Sequence, residues 1–248
     1  MIFFLVLFIP TTIFSKDLTL CYDVKALFVT VGTTCIHYKI DNKTIYFDST
    51  MKSSPAVSWV SRINNFGKAI GNLDDLKSKY FLFHQEEGKY KAFQEYFFEN
   101  NKIKVKSIKY NQDWTVKDEN EKIYDIQGYY EPFMLSLVFY KKILEKHQTP
   151  LKLFYKEKIY DIPFSIHSET VISISKRKFN TVKISFTPNI KGKGLLIPSG
   201  RWFIYIDKER LFPVRIDTKF VFITASVIIS KIEGNEFTIS SILKNQGK

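Results

Sequence analysis

Residues 36–47 read IHYKIDNKTIYF, and this stretch decides the fold. A two-residue turn at Asn42-Lys43 is favoured because Asn tolerates the positive φ that tight hairpin turns require. The turn brings apolar side chains together on one face and polar side chains on the other: Ile40 opposite Ile45, Tyr38 opposite Phe47, and His37 opposite Asp48. A single register that satisfies both faces specifies strand pairing. The stretch therefore predicts an antiparallel β-hairpin.

Two further stretches predict hairpins by the same test. Residues 96–105 turn at Asn100-Asn101, which sets Phe98 opposite Ile103, Tyr96 opposite Val105, Glu99 opposite Lys102 and Glu95 opposite Lys106. Residues 201–217 turn through a loop at 207–211, which sets Trp202 opposite Ile216, Ile204 opposite Val214, Ile206 opposite Phe212 and Arg201 opposite Asp217. We therefore expect Trp202 to face the interior.

Alternating apolar residues predict most of the remaining chain as strands. The predicted strands are 18–31, 79–85, 151–155, 158–162, 170–175, 181–187, 219–232 and 236–242. The strand at 219–232 is apolar on both faces, so we expect it to be central. Two segments instead have helical spacing: 54–66, capped by Ser54 and ended at Gly67, and 131–146, whose apolar face covers the sheet.

These elements predict a mainly β fold. About ten to twelve strands form a large curved antiparallel sheet, and an open sheet of that size tends to curl or close. We expect a partly open β-barrel with two helices packed on or in it. Residues 16–248 are expected to form a single domain, because no linker of low complexity divides them.

The first fifteen residues predict export. Residues 2–9 are apolar, Pro10 follows, and Lys16 is the first charge, so a signal peptide cleaved after Ser15 is expected. The apolar run is shorter than the roughly 20 residues that span a membrane. This places the mature chain in the periplasm or outer cell envelope, without a transmembrane helix. The alternative is that this segment is an N-terminal strand of a cytosolic protein.

The charge balance is strongly basic. The chain has 37 Lys and Arg against 25 Asp and Glu, a formal net charge of +12. The lysines are spread singly between apolar residues, as Lys102, Lys104 and Lys106 illustrate, which is typical of a solvated strand face. The functional alternative is attraction to an anionic surface of the cell envelope, such as membrane headgroups, rather than to nucleic acid.

No recognisable catalytic or metal motif emerges from the sequence. The four histidines, His37, His84, His147 and His167, are scattered. Only His37 has a carboxylate opposite it, that of Asp48, and a solvated outer face is the favoured interpretation of His37. The adjacent pairs Asp74-Asp75 and Glu86-Glu87 would point to opposite faces of a strand, so neither forms an acid–base pair. We therefore predict no catalytic, cofactor-binding or metal-binding residues, and no cofactor.

Two features remain open at this stage. Cys21 and Cys35 would face each other if residues 18–40 form a hairpin turning near Phe28, but Leu27, Phe28 and Val29 include no turn residue. The glycine-rich loop 188–200 carries Lys191 and Lys193, and it either binds an anion or simply links two strands.

Several short motifs resemble a bacterial exported family known as domain of unknown function 3108. They are GLLIPSGRW at 194–202, IYIDKE at 204–209, LFPVR at 211–215, LCYDVK at 20–25 with VGT at 31–33, and TPLK at 149–152. The resemblance implies a shape similar to envelope lipoprotein carriers, in which a curved sheet and helices enclose an apolar cavity. It supplies no catalytic residues.

The combined expectation is a non-enzymatic envelope protein. Its 23 Phe, 14 Tyr and 3 Trp suit a curled sheet that binds an apolar or amphipathic ligand, such as a lipid. The alternative is a structural or assembly factor of the envelope with a filled core and a basic interaction surface. The ligand residues and the oligomeric state are not predicted.

Overall fold

The computed structural model describes residues 16–59, 62–191, 196, 198–220, 224–234 and 239–244. The predicted signal peptide, residues 1–15, lies outside the described residues. The strands are β1 Lys16–Ala26, β2 Val29–Asp41, β3 Thr44–Ser53, β4 Asn64–Asn72, β5 Ser78–Glu87, β6 Tyr90–Glu99, β7 Lys102–Tyr110, β8 Val116–Asp125, β9 Leu151–Tyr155, β10 Lys158–Ile162, β11 Phe164–Ile174, β12 Arg177–Phe186, β13 Pro198–Asp207, β14 Pro213–Phe220 and β15 Thr224–Gly234. The helices are α1 Pro55–Ser58, α2 Pro132–Leu144 and α3 Ile239–Lys244.

Thirteen strands form one antiparallel sheet in the order β11-β12-β13-β14-β15-β1-β2-β3-β4-β5-β6-β7-β8. Strand β1 pairs with both β2 and β15, so it joins the two ends of the chain at the middle of the sheet. The outer strands β11 and β8 are not neighbours, so the sheet curves without closing. Strands β9 and β10 form a separate hairpin. This architecture confirms the predicted mainly β, partly open barrel.

The hairpins with Asn turns have the predicted registers. Tyr38 lies opposite Phe47 and Ile40 opposite Ile45. The register across Asn100-Asn101 is also confirmed over its full predicted length. In both hairpins Asn42, Asn100 and Asn101 adopt positive φ, as the turn chemistry requires.

The predicted register of residues 201–217 is wrong by two residues at Ile204 and by one residue at Ile206. Ile204 lies opposite Ile216, and Ile206 opposite Pro213, because the ladder shifts between Tyr205 and Ile206. The shift of two keeps Ile204 on its predicted face. The predicted ion pair does not form.

Asp217 has partners on its own side of the sheet instead of Arg201. Its Oδ1 atom accepts hydrogen bonds from Arg215 Nε at 2.8 Å and from Ser226 Oγ at 2.7 Å. Arg201 is exposed. Water solvates the charge of an exposed arginine, so the absence of the predicted Arg201–Asp217 ion pair has little effect on stability.

Two segments that were each predicted as one strand contain parts of two strands. The segment 18–31 turns at Leu27-Phe28, where φ is 48° and 69°, and the segment 219–232 reverses so that Lys219 pairs with Thr224. Neither segment has a typical turn residue at the position where the chain reverses. The first turn settles the open question of Cys21 and Cys35: they are directly opposite in β1 and β2 and form a disulfide.

The helix predictions are partly confirmed. Residues 132–144 form α2 as expected, but the helix predicted at 54–66 ends at Ser58, and residues 64–66 belong to strand β4. The strand predicted at 236–242 is also wrong, because Ile239–Lys244 is helical. Apolar residues three apart in a short segment fit either structure, so pattern alone does not decide such cases.

Helix α2 lies against the concave face of the sheet, where β4 presents only small side chains. Gly67, Ala69 and Gly71 alternate on the inner face of β4. A β-carbon at Gly71 would overlap the Met134 side chain, and one at Gly67 would lie 3.1 Å from the Phe133 ring. The two glycines therefore allow α2 to approach the sheet closely enough to bury Met134 completely.

Candidate functional site

The space between the sheet, α2 and the β9–β10 hairpin contains two adjoining cavities. The larger, called the apolar chamber here, has a volume of about 390 Å³. Its lining includes Phe81, Phe83, Phe133, Phe139, Leu153 and Trp202. Such a volume and lining are typical of sites for small apolar molecules.

Secondary-structure periodicity explains this lining. On β5, Phe81 and Phe83 are two residues apart and face the same side, as do Trp202 and Ile204 on β13. On α2, Phe133, Ser136 and Phe139 recur at intervals of three residues. The prediction that Trp202 faces inward is therefore correct, although its pairing partner differs.

The smaller cavity, the polar chamber, has a volume of about 290 Å³. It shares Phe83, Phe133, Tyr155 and Ile190 with the apolar chamber, so the two are in contact. Its polar lining includes Asn65, Gln85, Glu87 and Lys156. The combined cavity thus has an apolar part and a polar part.

Glu87 organises the polar chamber. Its Oε1 atom accepts hydrogen bonds from Asn65 Nδ2 at 2.8 Å and from Gln85 Nε2 at 2.9 Å. Its Oε2 atom accepts one from the Leu196 backbone N–H at 3.1 Å. These bonds compensate for the burial of a carboxylate that is only 3% exposed.

Lys156 is the cation beside this carboxylate. Burial lowers the pKa of the Lys156 ammonium, and the charge of Glu87 opposes part of that decrease. An additional anion in the chamber would act in the same direction as Glu87. The polar chamber therefore contains one basic and one acidic side chain that interact electrostatically.

The turn that carries Lys156 is held in place from both sides. Lys156 and Glu157 have φ of 50° and 58°, which side chains with a β-carbon rarely adopt. The Lys156 N–H donates to Tyr96 Oη at 2.9 Å, and Glu157 accepts from Tyr124 Oη at 2.7 Å and Ser107 Oγ at 2.8 Å. These contacts stabilise the unusual turn and orient Lys156.

The other end of the cavity is fixed by the first turn of α2. Glu131 precedes Pro132 and is fully buried, and its carboxylate accepts hydrogen bonds from the Phe133 and Met134 N–H groups at 2.6 and 2.8 Å. Burial raises the pKa of Glu131 to about 8, and the two backbone donors reduce that increase. Glu131 therefore retains a proton over much of the neutral pH range.

The histidine and aspartate candidates lie outside the cavity. His37 lies opposite Asp48 as predicted, and its Nε2 atom is 3.7 Å from Asp17 Oδ1. Asp48 lies 3.4 Å from Lys68 Nζ. Asp74 and Asp75 occupy an exposed turn, not a strand, and contact Lys43 and Lys77 respectively.

The pair Glu86-Glu87 points to opposite faces as predicted, but the burial of Glu87 was not predicted. The available signal is on β5, where the inward alternation of Phe81 and Phe83 continues with the polar residues Gln85 and Glu87. Polar residues on an apolar face indicate a buried polar site. The loop 188–200 contributes Ile190 and Leu196 to the lining, whereas Lys193 lies outside the described residues.

Over the described parts of the chain, no group of three or more His, Cys, Asp or Glu side chains could hold a metal ion. Among the helices that the structure describes, none has the length and apolar character needed to cross a membrane.

Comparisons with known proteins address the fold and the family. The family model described as Protein of unknown function (DUF3108) matches residues 21–227. The β-barrel-like protein of domain of unknown function DUF1849 from Brucella abortus is structurally similar, with a TM-score of 0.58 and 11% identity over 89% of this chain and 98% of that chain. This likeness concerns the fold alone. No curated protein sequence matches the chain.

A second structure, a domain described as an outer membrane lipoprotein-sorting protein domain from Vibrio parahaemolyticus, aligns over 93% of this chain and 90% of that chain. Its TM-score is 0.29 and its sequence identity is 8%. These values are too low to support an argument about function.

Glu131 predicts a specific pH dependence of stability. The unfolded chain releases this proton near the ordinary carboxyl pKa of 4.5, whereas the folded chain holds it to about 8. The folded state then binds more protons between these values, so the free energy of unfolding decreases as pH rises. Glu131→Gln keeps an acceptor oxygen but removes the titration.

We expect urea unfolding between about pH 5 and pH 8 to show a smaller loss of stability for Glu131→Gln than for the parent. The free energy of unfolding of Glu131→Gln, relative to that of the parent, should therefore increase towards the higher pH. Parallel pH profiles would contradict the burial of an ionisable Glu131.

Proposed function

Since the chain belongs to the DUF3108 family of proteins of unknown function, we propose its role from the cavity: it binds an amphiphile with a single apolar chain between the curved sheet and α2. The supporting observation is the contact between the two chambers through Phe83, Phe133, Tyr155 and Ile190. An apolar chain would occupy the apolar chamber, and its polar head would lie in the polar chamber.

The chemistry of each chamber supports this division. Aromatic and aliphatic side chains line the apolar chamber, where burial of a ligand chain is favourable in proportion to the area removed from water. In the polar chamber Lys156 contributes a basic side chain beside the polar groups of Asn65 and Gln85, and an acidic or hydrogen-bonding head would lie among them. A fatty acid or a lysophospholipid has both features.

We also propose that the protein acts in the cell envelope as a binding protein rather than an enzyme. The Cys21–Cys35 disulfide supports this location, because such bonds persist in oxidising compartments. The apolar segment 2–9 supports export. Protein recovered from the envelope fraction is expected to begin near Lys16, as mass spectrometry would show. An intact Met1 in a cytoplasmic fraction would contradict this location.

Ligand binding can be measured with Trp202 as the reporter. Trp202 lines the apolar chamber, whereas Trp59 and Trp114 are exposed elsewhere. A Trp59→Phe/Trp114→Phe variant therefore leaves one tryptophan, in the cavity. We expect a brominated fatty acid to quench its fluorescence saturably, because the bromine atoms would lie close to the indole ring.

Filling the chamber supplies the specific control. Ser136→Phe places a ring in the apolar chamber and is expected to weaken binding by about tenfold or more, whereas Ser173→Phe adds the same ring at an exposed position of β11 and leaves binding unchanged. Absence of saturable quenching in the Trp59→Phe/Trp114→Phe protein without either serine substitution would reject ligand binding. It would favour the alternative of an assembly factor acting through its basic surface.

A further inference from the structure

The turn between β1 and β2 exposes a group of large apolar side chains. Leu27, Phe28 and Val29 are 89%, 101% and 54% exposed, and Trp59 just after α1 is 82% exposed. These four residues are called the apolar tip here. Isolated exposed apolar residues are normal, but a cluster of them at a protrusion indicates a binding surface.

Backbone contacts place the four residues at the same end of the sheet. Gly32 of β2 lies opposite Ser53 of β3, and the Ser54 N–H donates to the Val31 carbonyl at 2.9 Å. Helix α1 therefore begins beside the start of β2. Trp59 follows that short helix directly.

The turn residues are poor choices for folding. Leu27 and Phe28 both adopt positive φ, which their β-carbons disfavour, whereas three other tight turns have Asn42, Gly88 or Asn100-Asn101 at such positions. The unusual turn at 156–157 is compensated by hydrogen bonds from neighbouring side chains. The side chains of Leu27 and Phe28 are exposed, so packing against the protein does not offset the unfavourable backbone conformation of this turn. This cost points to a function outside the folded core.

Three lysines lie at the same end of the sheet as the apolar tip. Lys25 precedes the turn, Lys52 lies near the end of β3, and Lys219 lies near the end of β14, which pairs with the start of β15. Arg62 precedes β4, and its Nε atom lies 3.9 Å from Glu86 Oε1. The combination of exposed apolar residues and lysines matches a bilayer with anionic headgroups, where each chemical group has a partner.

We propose that the apolar tip inserts into the interfacial region of a membrane that contains anionic lipids. A protruding two-residue turn offers too little area for a stable protein interface of about 1,200 Å² or more. Insertion into a bilayer has no such requirement, because lipids enclose each inserted side chain. Aromatic residues such as Phe28 and Trp59 are favoured at this depth. The proposal does not depend on ligand binding in the cavity.

The test uses vesicles of phosphatidylcholine with and without phosphatidylglycerol. In a Trp114→Phe/Trp202→Phe background, Trp59 alone reports insertion. We expect its emission to shift to the blue and to be quenched by brominated lipids, more strongly when phosphatidylglycerol is present and less strongly at high salt.

The decisive variant is Leu27→Asn/Phe28→Gly. Asn-Gly suits this type of turn, so the variant is expected to fold with an equal or higher melting temperature while its vesicle affinity falls by about tenfold or more. Ile123→Asn removes an exposed apolar side chain of β8 and should leave vesicle affinity unchanged. All variants are prepared with the same N-terminus.

Three results would overturn the proposal. The first is a parent that does not bind vesicles, and the second is a Leu27→Asn/Phe28→Gly variant that binds them as tightly as the parent. The third is a parent that is dimeric without lipid and a Leu27→Asn/Phe28→Gly variant that is monomeric, which would assign the apolar tip to a contact between two copies of the chain.

Discussion

The packing of α2 on the inner face of β4 is the contact on which the rest of the structure depends. Gly67, Ala69 and Gly71 form a strip without large side chains, and Phe133 and Met134 lie on it. A glycine in a strand normally weakens it, so its presence here indicates close approach of another element. The strip places the helix inside the curve of the sheet instead of outside it.

This position of α2 also explains the cavity. The helix covers part of the concave face, and Phe133 and Phe139 line the space that remains. Glu131 satisfies the first N–H groups of α2 inside the protein, where water does not reach them. The helix therefore begins with a buried polar contact and continues with an apolar surface facing the chamber. Phe133 both packs against β4 at Gly67 and lines the chamber, so the same part of α2 serves packing and the cavity wall.

The sequence predicted those parts of the fold in which several local signals agree. The hairpins at Asn42 and Asn100-Asn101 have both a turn residue and a consistent register, and α2 has a proline start and a long apolar face. The turn at Leu27-Phe28 had no such signal, because its residues oppose the conformation they adopt. Strand β4 was missed because its glycines serve a contact with a distant helix, which local pattern does not reveal.

The candidate site was predictable only in outline. Aromatic residues on inward-facing positions indicated an apolar interior, and Trp202 lies there as expected. The polar chamber combines Asn65, Glu87 and Lys156 from β4, β5 and the β9–β10 turn. The folded sheet brings together these residues, which are far apart in sequence. The sequence analysis therefore identified Glu87 only as one of two adjacent acidic residues and did not predict its neighbours.

A double-mutant cycle between Gly71 and Met134 tests the central contact most directly. Gly71→Val should destabilise the protein by about 1–3 kcal/mol through overpacking, and Met134→Ala by about 2–5 kcal/mol through loss of a buried side chain. Because each change affects the same contact, we expect the double variant to lose at least about 1 kcal/mol less than the sum of the two single losses. Strictly additive losses in urea unfolding would show that α2 does not rest on Gly71, and would contradict this account of the cavity.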